Sequence, residues 1–276
     1  MKKLILGLAL AILSASSFSA MVSEIKVDLR LSGSDFVAGE RIRAVVDIAN
    51  SSPDTISVGY PDSKDSFFLE VFRAGDMTRM MRTSRHPYVA AFQLQSGEGQ
   101  KLETFIGDHF ALRETRRYLV KPVLVHNGVR YEGSPRAFDV VDGVKICGAM
   151  QMFANRAGLF RNFKLVYWSR NHSEHLFLCA EDSGNSKRKW VTTDLGPILR
   201  IDKPTISILK SGEVIVLHRL NQDQFVRSEF WSLPDAIEFR KRESVSDPET
   251  AGTARVRELY KESNVKPKIN PWWKFW

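Results

Sequence analysis

The sequence predicts a mostly β protein: an antiparallel sandwich over residues 23–142, a second β-rich domain over residues 143–246, and a short helix with an aromatic tail over residues 247–276. Three observations predict it. Apolar residues alternate with polar ones in short runs, the period-2 mark of half-buried strands. Clusters of Ser, Gly, Asn, Asp and Pro separate the runs. No helical crossover pattern lies between the early runs, and parallel neighbours need one, so the strands are expected to pair antiparallel.

The first run sets Ile25, Val27, Leu29 and Leu31 against charged neighbours. After the turn at residues 32–35, Ile42, Ala44, Val46 and Ile48 alternate in the same way up to Asn50. Residues 50–54 read as a turn, Ile56 and Val58 as a short strand, and Phe67 to Arg73 as a strand apolar in part on both faces. Residues 102–106 and 115–125 are further strands. Asn127-Gly128, flanked by Val123, Val125, Val129 and Tyr131, is the strongest hairpin signal in the chain, because both residues accept positive φ. Residues 137–141 close the segment.

In the second domain, residues 164–168 and 175–179 flank Asn171-His172-Ser173-Glu174 as a hairpin. Strands are expected at 190–193, 198–201, 205–209, 214–219, 225–231 and 236–240, with Ser211-Gly212 as one turn. This rhythm resembles one or two blades of a β-propeller. A complete propeller needs at least four blades, so the expectation is a β-meander or a second small sandwich. Beyond it, Asp247-Pro248-Glu249 starts a helix with the stripe Ala254, Val256, Leu259 and Tyr260, and Asn264 and Pro267 stop it.

The N-terminus carries an export signal. Lys2 and Lys3 precede an apolar run from Leu4 to Leu13, and small residues follow. That is a secretory signal peptide over residues 1–20, with Ser17-Phe18-Ser19 favouring cleavage before Ala20 or one residue later. The run is about half the ~20 residues needed to span a bilayer, so no transmembrane segment is expected in the mature chain. The expected location is periplasmic or secreted.

Formal net charge is +8, and +6 once Lys2 and Lys3 leave with the signal. It is unevenly placed. Residues 21–142 hold 16 Lys+Arg against 17 Asp+Glu, and residues 143–276 hold 22 against 15. The surplus in the second half points to an anionic partner. For an exported protein that means a protein, a glycan or an anionic membrane surface rather than nucleic acid. Cys147 and Cys179 are an even pair behind a signal peptide and are expected to form a disulfide. Such a bridge is worth about 3 to 4 kcal/mol in the chain-entropy description.

Phe36-Val37-Ala38-Gly39-Glu40, followed by Ile42 to Asn50, resembles the second strand of bacterial extracellular immunoglobulin-like domains, in which a Gly-Glu turn precedes a strand ending in Asn-x-Ser. The resemblance covers residues 23–142. It implies an immunoglobulin-like sandwich, and it departs from antibody domains in lacking their cysteine pair and core tryptophan. A likeness of fold carries no function with it.

Chemistry is sparse. His172 and His175 stand three apart, one in a turn and one at a strand start, short of the ligand set a metal needs. Asp182-Ser183-Gly184 with Trp190 resembles a degenerate Asp-box, the structural turn of sialidase-type propellers. There is no nucleophile elbow, Gly-rich phosphate loop or His-Glu-x-x-His helix. No catalytic residue, metal or cofactor is assigned. Two surfaces attract a binding reading. One is the long loop with Arg79, Arg82 and Arg85 among Met77, Met80 and Met81. The other is the tail Trp272, Trp273, Lys274, Phe275 and Trp276, a possible attachment element. The expected function is an exported, non-catalytic binding or structural module. The competing one is a hydrolase of envelope glycans or another extracellular polymer, acting through the second domain.

Overall fold

In the computed structural model, residues 24–153, 158–170, 172–183 and 190–246 are described. The expected signal peptide, the expected C-terminal helix and the tail residues Trp272, Trp273, Lys274, Phe275 and Trp276 lie outside them. Among the described residues no helix is long and apolar enough to cross a membrane.

The first domain contains β1 (Ile25–Leu31), β2 (Asp35–Val37), β3 (Arg43–Asn50), β4 (Ile56–Val58), β5 (Ser66–Arg73), β6 (Phe92–Leu94), β7 (Gly99–Phe105), β8 (Arg116–His126), β9 (Val129–Glu132) and β10 (Arg136–Val141). One sheet has the order β1-β3-β7. The facing sheet runs β2-β10-β8-β5, with β9 also on β8, and β4 and β6 form a small ribbon. The alternation read from sequence fills the space between them: Val27, Leu29, Val46 and Ile48 meet Leu69, Val71, Tyr118 and Phe138 in one core. Asn127 and Gly128 take φ of 50° and 77°, as the turn between β8 and β9 requires. Among the named strands, the antiparallel expectation fails where β10 pairs with β2 in parallel. The long route from β2 to β10 passes through the rest of the domain and supplies the crossover that parallel pairing needs.

The second domain is two four-stranded antiparallel meanders. One is β11 (Val144–Met152), β12 (Phe160–Arg170), β13 (Ser173–Ser183) and β14 (Trp190–Pro197). The other is β15 (Thr205–Ile208), β16 (Glu213–Arg219), β17 (Phe225–Leu233) and β18 (Ala236–Val245). They pack face to face through Phe163, Leu165, Leu176 and Leu178 against Val214, Val216 and Phe230. Residues 198–201, expected as a strand, instead join the sheets: the Ile198 amide donates to Glu174 O and the Leu199 amide to Arg219 O.

The expected Cys147–Cys179 disulfide is corrected by the structure, in which both thiols are free. Cys147 lies opposite Leu165, and Leu165 lies opposite Leu178. Residues directly opposite share a face, and the next residue along a strand points to the other one. Cys147 therefore sits with Leu178 against the meander core, while Cys179 faces the first domain. The strand β12 also lies between them. Two strand spacings are roughly 9.5 Å, beyond the ~7 Å Cα limit of a disulfide. Burial raises the Cys147 thiol and pushes Cys179 up to about 11. Both are expected to react slowly with alkylating reagents in the native protein and readily after unfolding. A cross-linked Cys147–Cys179 peptide in a non-reduced digest would show the strand register to be wrong.

Candidate functional site

Two junctions hold the molecule together. The first lies between the domains. Val37 and Val141 pack against Val166, Trp168, Phe177 and Cys179 on the outer face of the β11–β14 meander. The Arg170 guanidinium grips both Glu40 oxygens, at 2.8 and 2.7 Å, and also donates to Asp35 O at 3.0 Å. It lies over the Phe36 and Phe177 rings. The Thr192 amide donates to Gly39 O at 3.0 Å and its hydroxyl to Ala38 O at 2.5 Å. The segment 36–40, which carried the immunoglobulin-like resemblance, is thus where the second domain docks.

The second junction joins the two meanders. Arg161 on β12 is fully buried. It donates to both oxygens of Asp182 on β13, at 2.5 and 3.2 Å. It also donates to Ser232 Oγ, Leu233 O and Ala236 O at the β17–β18 turn. Asp182, read in sequence as part of a turn motif, is the counter-ion of this buried arginine. Each partner here holds structure.

An open groove lies in the first domain, beside the loop that the sequence singled out as a binding candidate. A groove of about 610 Å³ runs beside residues 66–69 of β5, bounded by residues 79–82, Tyr88 and Phe110. That volume falls in the usual range of ligand sites. Its walls are mostly apolar, from Phe67, Phe68, Met80, Met81 and Tyr88. Met81 is 86% exposed and Met77 56% exposed, and thioether side chains suit surfaces that adapt to a partner. The loop is held by local geometry: residues 78–80 fold back on β5, with the Met80 amide donating to Val71 O at 2.8 Å and the Arg73 amide donating to Thr78 O at 2.9 Å.

Cations rim the groove. Arg82 lies 4.1 Å from the Tyr88 ring centroid and donates to His86 O. Arg79 pairs with the buried Glu70 carboxylate at 3.0 Å. Glu70 also receives Arg130 at 2.6 Å and Lys121 at 3.5 Å, and Glu132 pairs with both of those. Three cations therefore meet two carboxylates, and Arg82 adds positive charge beyond that. Burial raises the Tyr88 hydroxyl, against the pull of Arg82 and Arg79, so the phenol stays protonated and able to donate. The structure brings Arg79 and Arg82 to the groove; Arg85 is an exposed residue of the same loop but does not line it.

A second, more polar pocket of about 670 Å³ surrounds Asp54, Asp65, His126 and Asn127. Its histidine is fully engaged. His126 Nδ1 is 3.0 Å from Asp65 Oδ2, and its Nε2 accepts from Asn127 Nδ2 at 3.2 Å. Asp65 Oδ2 also takes the Ser57 amide at 2.8 Å. With both ring nitrogens occupied, this network fastens the β8–β9 turn to β4. His175, considered as a metal ligand from sequence, hydrogen-bonds Asp194 at 3.0 Å, and His172 occupies the β12–β13 turn with φ of 63°. Among the described residues no group of three His, Cys, Asp or Glu side chains is arranged to hold a metal.

No family model matches the chain, and no curated protein matches it. Among solved structures, the chain is similar to Spo0M, a sporulation control protein from Bacillus subtilis. The identity is 12%, the match covers 88% of this chain and 98% of that one, and the TM-score is 0.29. It is also similar to a chain of the CsuC–CsuE chaperone–tip adhesion subunit pre-assembly complex from the archaic chaperone-usher Csu pili of Acinetobacter baumannii. Here the identity is 9%, coverage is 75% and 99%, and the TM-score is 0.23. At these scores neither likeness carries an assignment of topology or function.

Proposed function

We propose that the protein is an exported, non-catalytic binding module of the cell envelope or secreted fraction, whose ligand enters the arginine-rimmed groove of the first domain. The observation that carries this reading is the pairing of an apolar groove with surplus cationic charge on a long loop, at Met81, Arg79 and Arg82. Rigid sandwiches commonly present binding residues on such loops. Export rests on the N-terminal pattern of residues 1–20.

Anilinonaphthalene sulfonate tests the groove, since it joins apolar rings to an anion. One saturable site is expected. Met81→Ser removes exposed apolar surface and Arg82→Gln removes the cation above Tyr88. Each is expected to weaken binding roughly tenfold, which corresponds to ~1.4 kcal/mol, with little change in melting temperature. Absence of binding, or binding untouched by both substitutions, overturns the reading.

A further inference from the structure

The groove lies along an unfinished sheet edge. Among the described residues β5 is the last member of its sheet: its strand partner is β8, and Phe72 makes an isolated bridge to Arg79 on the other side. Along an antiparallel pair, alternate residues turn their N–H and C=O towards the partner and away from it. The outward set on β5 can be identified. Val71 O accepts the Met80 amide and the Arg73 amide donates to Thr78 O, both from the side away from β8. Pro122, which has no N–H, lies opposite Leu69. The odd-numbered residues therefore face outward, and Phe67 and Leu69 belong to that set.

Residues 78–80 occupy the outward edge only as far as Val71. The chain then leaves, as the Thr83 amide donates to His109 O. Ahead of it stand the outward backbone groups of Leu69 and Phe67, beside the groove. Among the described residues, the Leu69 carbonyl takes one long bond, from Tyr88 Oη at 3.4 Å. No backbone ladder runs along this part of the edge. An open strand edge is a template for another strand, and native proteins usually close such edges. Here the backbone ladder stops two outward residues short: Tyr88 covers Leu69 and Phe67, which are 2% and 7% exposed, so an added strand has to lift Tyr88, and an apolar trough lies where its side chains would go.

We infer that the ligand of this groove is an extended peptide that adds to β5 as a short strand antiparallel to it, in line with residues 78–80. Its backbone pairs with Leu69 and Phe67, and its amide replaces the Tyr88 hydroxyl at Leu69 O. Alternate side chains enter the trough beside Phe68 and Met81. An acidic residue in the peptide meets Arg82. Main-chain pairing supplies affinity and the pockets supply specificity, as in other strand additions. The occupant is a peptide rather than a lipid because the unsatisfied groups at the site are backbone donors and acceptors at strand spacing, which an acyl chain leaves unpaired at a cost.

This inference rests on the groove being the ligand site, and the test separates the two. A library of random octapeptides displayed on phage is selected against the purified full chain. The enriched peptide is then remade with N-methyl groups on alternate amides, in each of the two registers. Enriched sequences are expected to alternate apolar residues and to carry an acid. One N-methyl register should weaken binding tenfold or more and the other should not, since only alternate amides face β5. Hydrogen exchange should slow at residues 67–69, and Arg82→Gln should weaken the acidic peptide and spare its amide analogue. Failure to enrich any peptide, equal effects of the two N-methyl registers, or protection elsewhere in the chain would each overturn the inference. If anilinonaphthalene sulfonate still binds at Met81 and Arg82 under those results, the groove remains a ligand site for a small amphipathic anion. If it does not, both readings fall together.

Discussion

Arg161→Ala is expected to destabilise the protein by about 3 to 5 kcal/mol, the usual cost of breaking a buried ion pair by removing one partner. Stabilities of single domains are typically about 5 to 15 kcal/mol, so the variant should be unfolded or nearly so at moderate urea. The reason lies in what is left behind. Asp182 stays buried with its guanidinium gone, and Leu233 O and Ala236 O lose a donor. Each buried unsatisfied polar group costs roughly 1 to 3 kcal/mol. The double variant Arg161→Met, Asp182→Leu removes the stranded carboxylate and is expected to recover part of the loss. It should not recover all of it, because Ser232 Oγ and the carbonyls of Leu233 and Ala236 still lose the guanidinium donor. Urea unfolding of the three proteins, followed by circular dichroism, measures this. A loss below about 1 kcal/mol for Arg161→Ala would mean that the pair is effectively a surface pair. Recovery to parental stability in the double variant would mean that the carbonyl contacts contribute nothing.

Gly39→Ala is the second large effect, and it acts at the docking of the domains. Gly39 has φ of +84°, and a Cβ there would stand 2.4 Å from Trp190 Cδ1 and 2.9 Å from Thr192 Oγ1. An L-residue in such a conformation costs about 1 to 2 kcal/mol, and overpacking adds about 1 to 3 kcal/mol. Trp190 packs against the core of the first domain, so it has little room to retreat. Gly97 supplies the control, having φ of +81° with nothing within 4 Å of its Cβ position. Gly97→Ala should show the backbone cost alone. Gly39→Ala should lose at least ~1 kcal/mol more and become more sensitive to proteolysis near residues 142–143. Equal losses for the two variants would show that the tight approach to Trp190 plays no part in holding the domains together.

Much of the strand pattern could be read from local chemistry. The alternation in β1 and β3 and the Asn127-Gly128 turn needed only neighbouring residues. Other elements escaped that reading for physical reasons. The strand β11 reads Val-Lys-Ile-Cys-Gly-Ala-Met-Gln-Met and is mostly half-exposed, so its apolar residues show no clean period. The short strands β2 and β6 have three residues each, too few to show any. Residues 198–201 read as a strand through Ile198, Leu199 and Ile201, but Ile198 belongs to the meander core where the chain crosses between sheets and Ile201 is exposed. In the loop after β5, Arg79, Arg82 and the methionines were identifiable as a cluster, but the groove was not, since β5 supplies its other wall.

By itself the sequence determined many of the strand-forming segments, the turn at residues 127–128 and the arginine–methionine cluster, because each depends on side chains within a few positions of one another. Only the tertiary structure decided which strands became neighbours. That choice put Cys147 and Cys179 on opposite faces of one sheet and gave Asp182 a buried arginine. It set Glu40 against Arg170 across 130 positions of chain and left part of the edge of β5 covered by Tyr88 in place of a strand. Period-2 alternation reports that a residue faces inward or outward relative to its own strand. It carries no information about which distant strand lies alongside, and the two junctions described are built from pairs that such neighbours bring together.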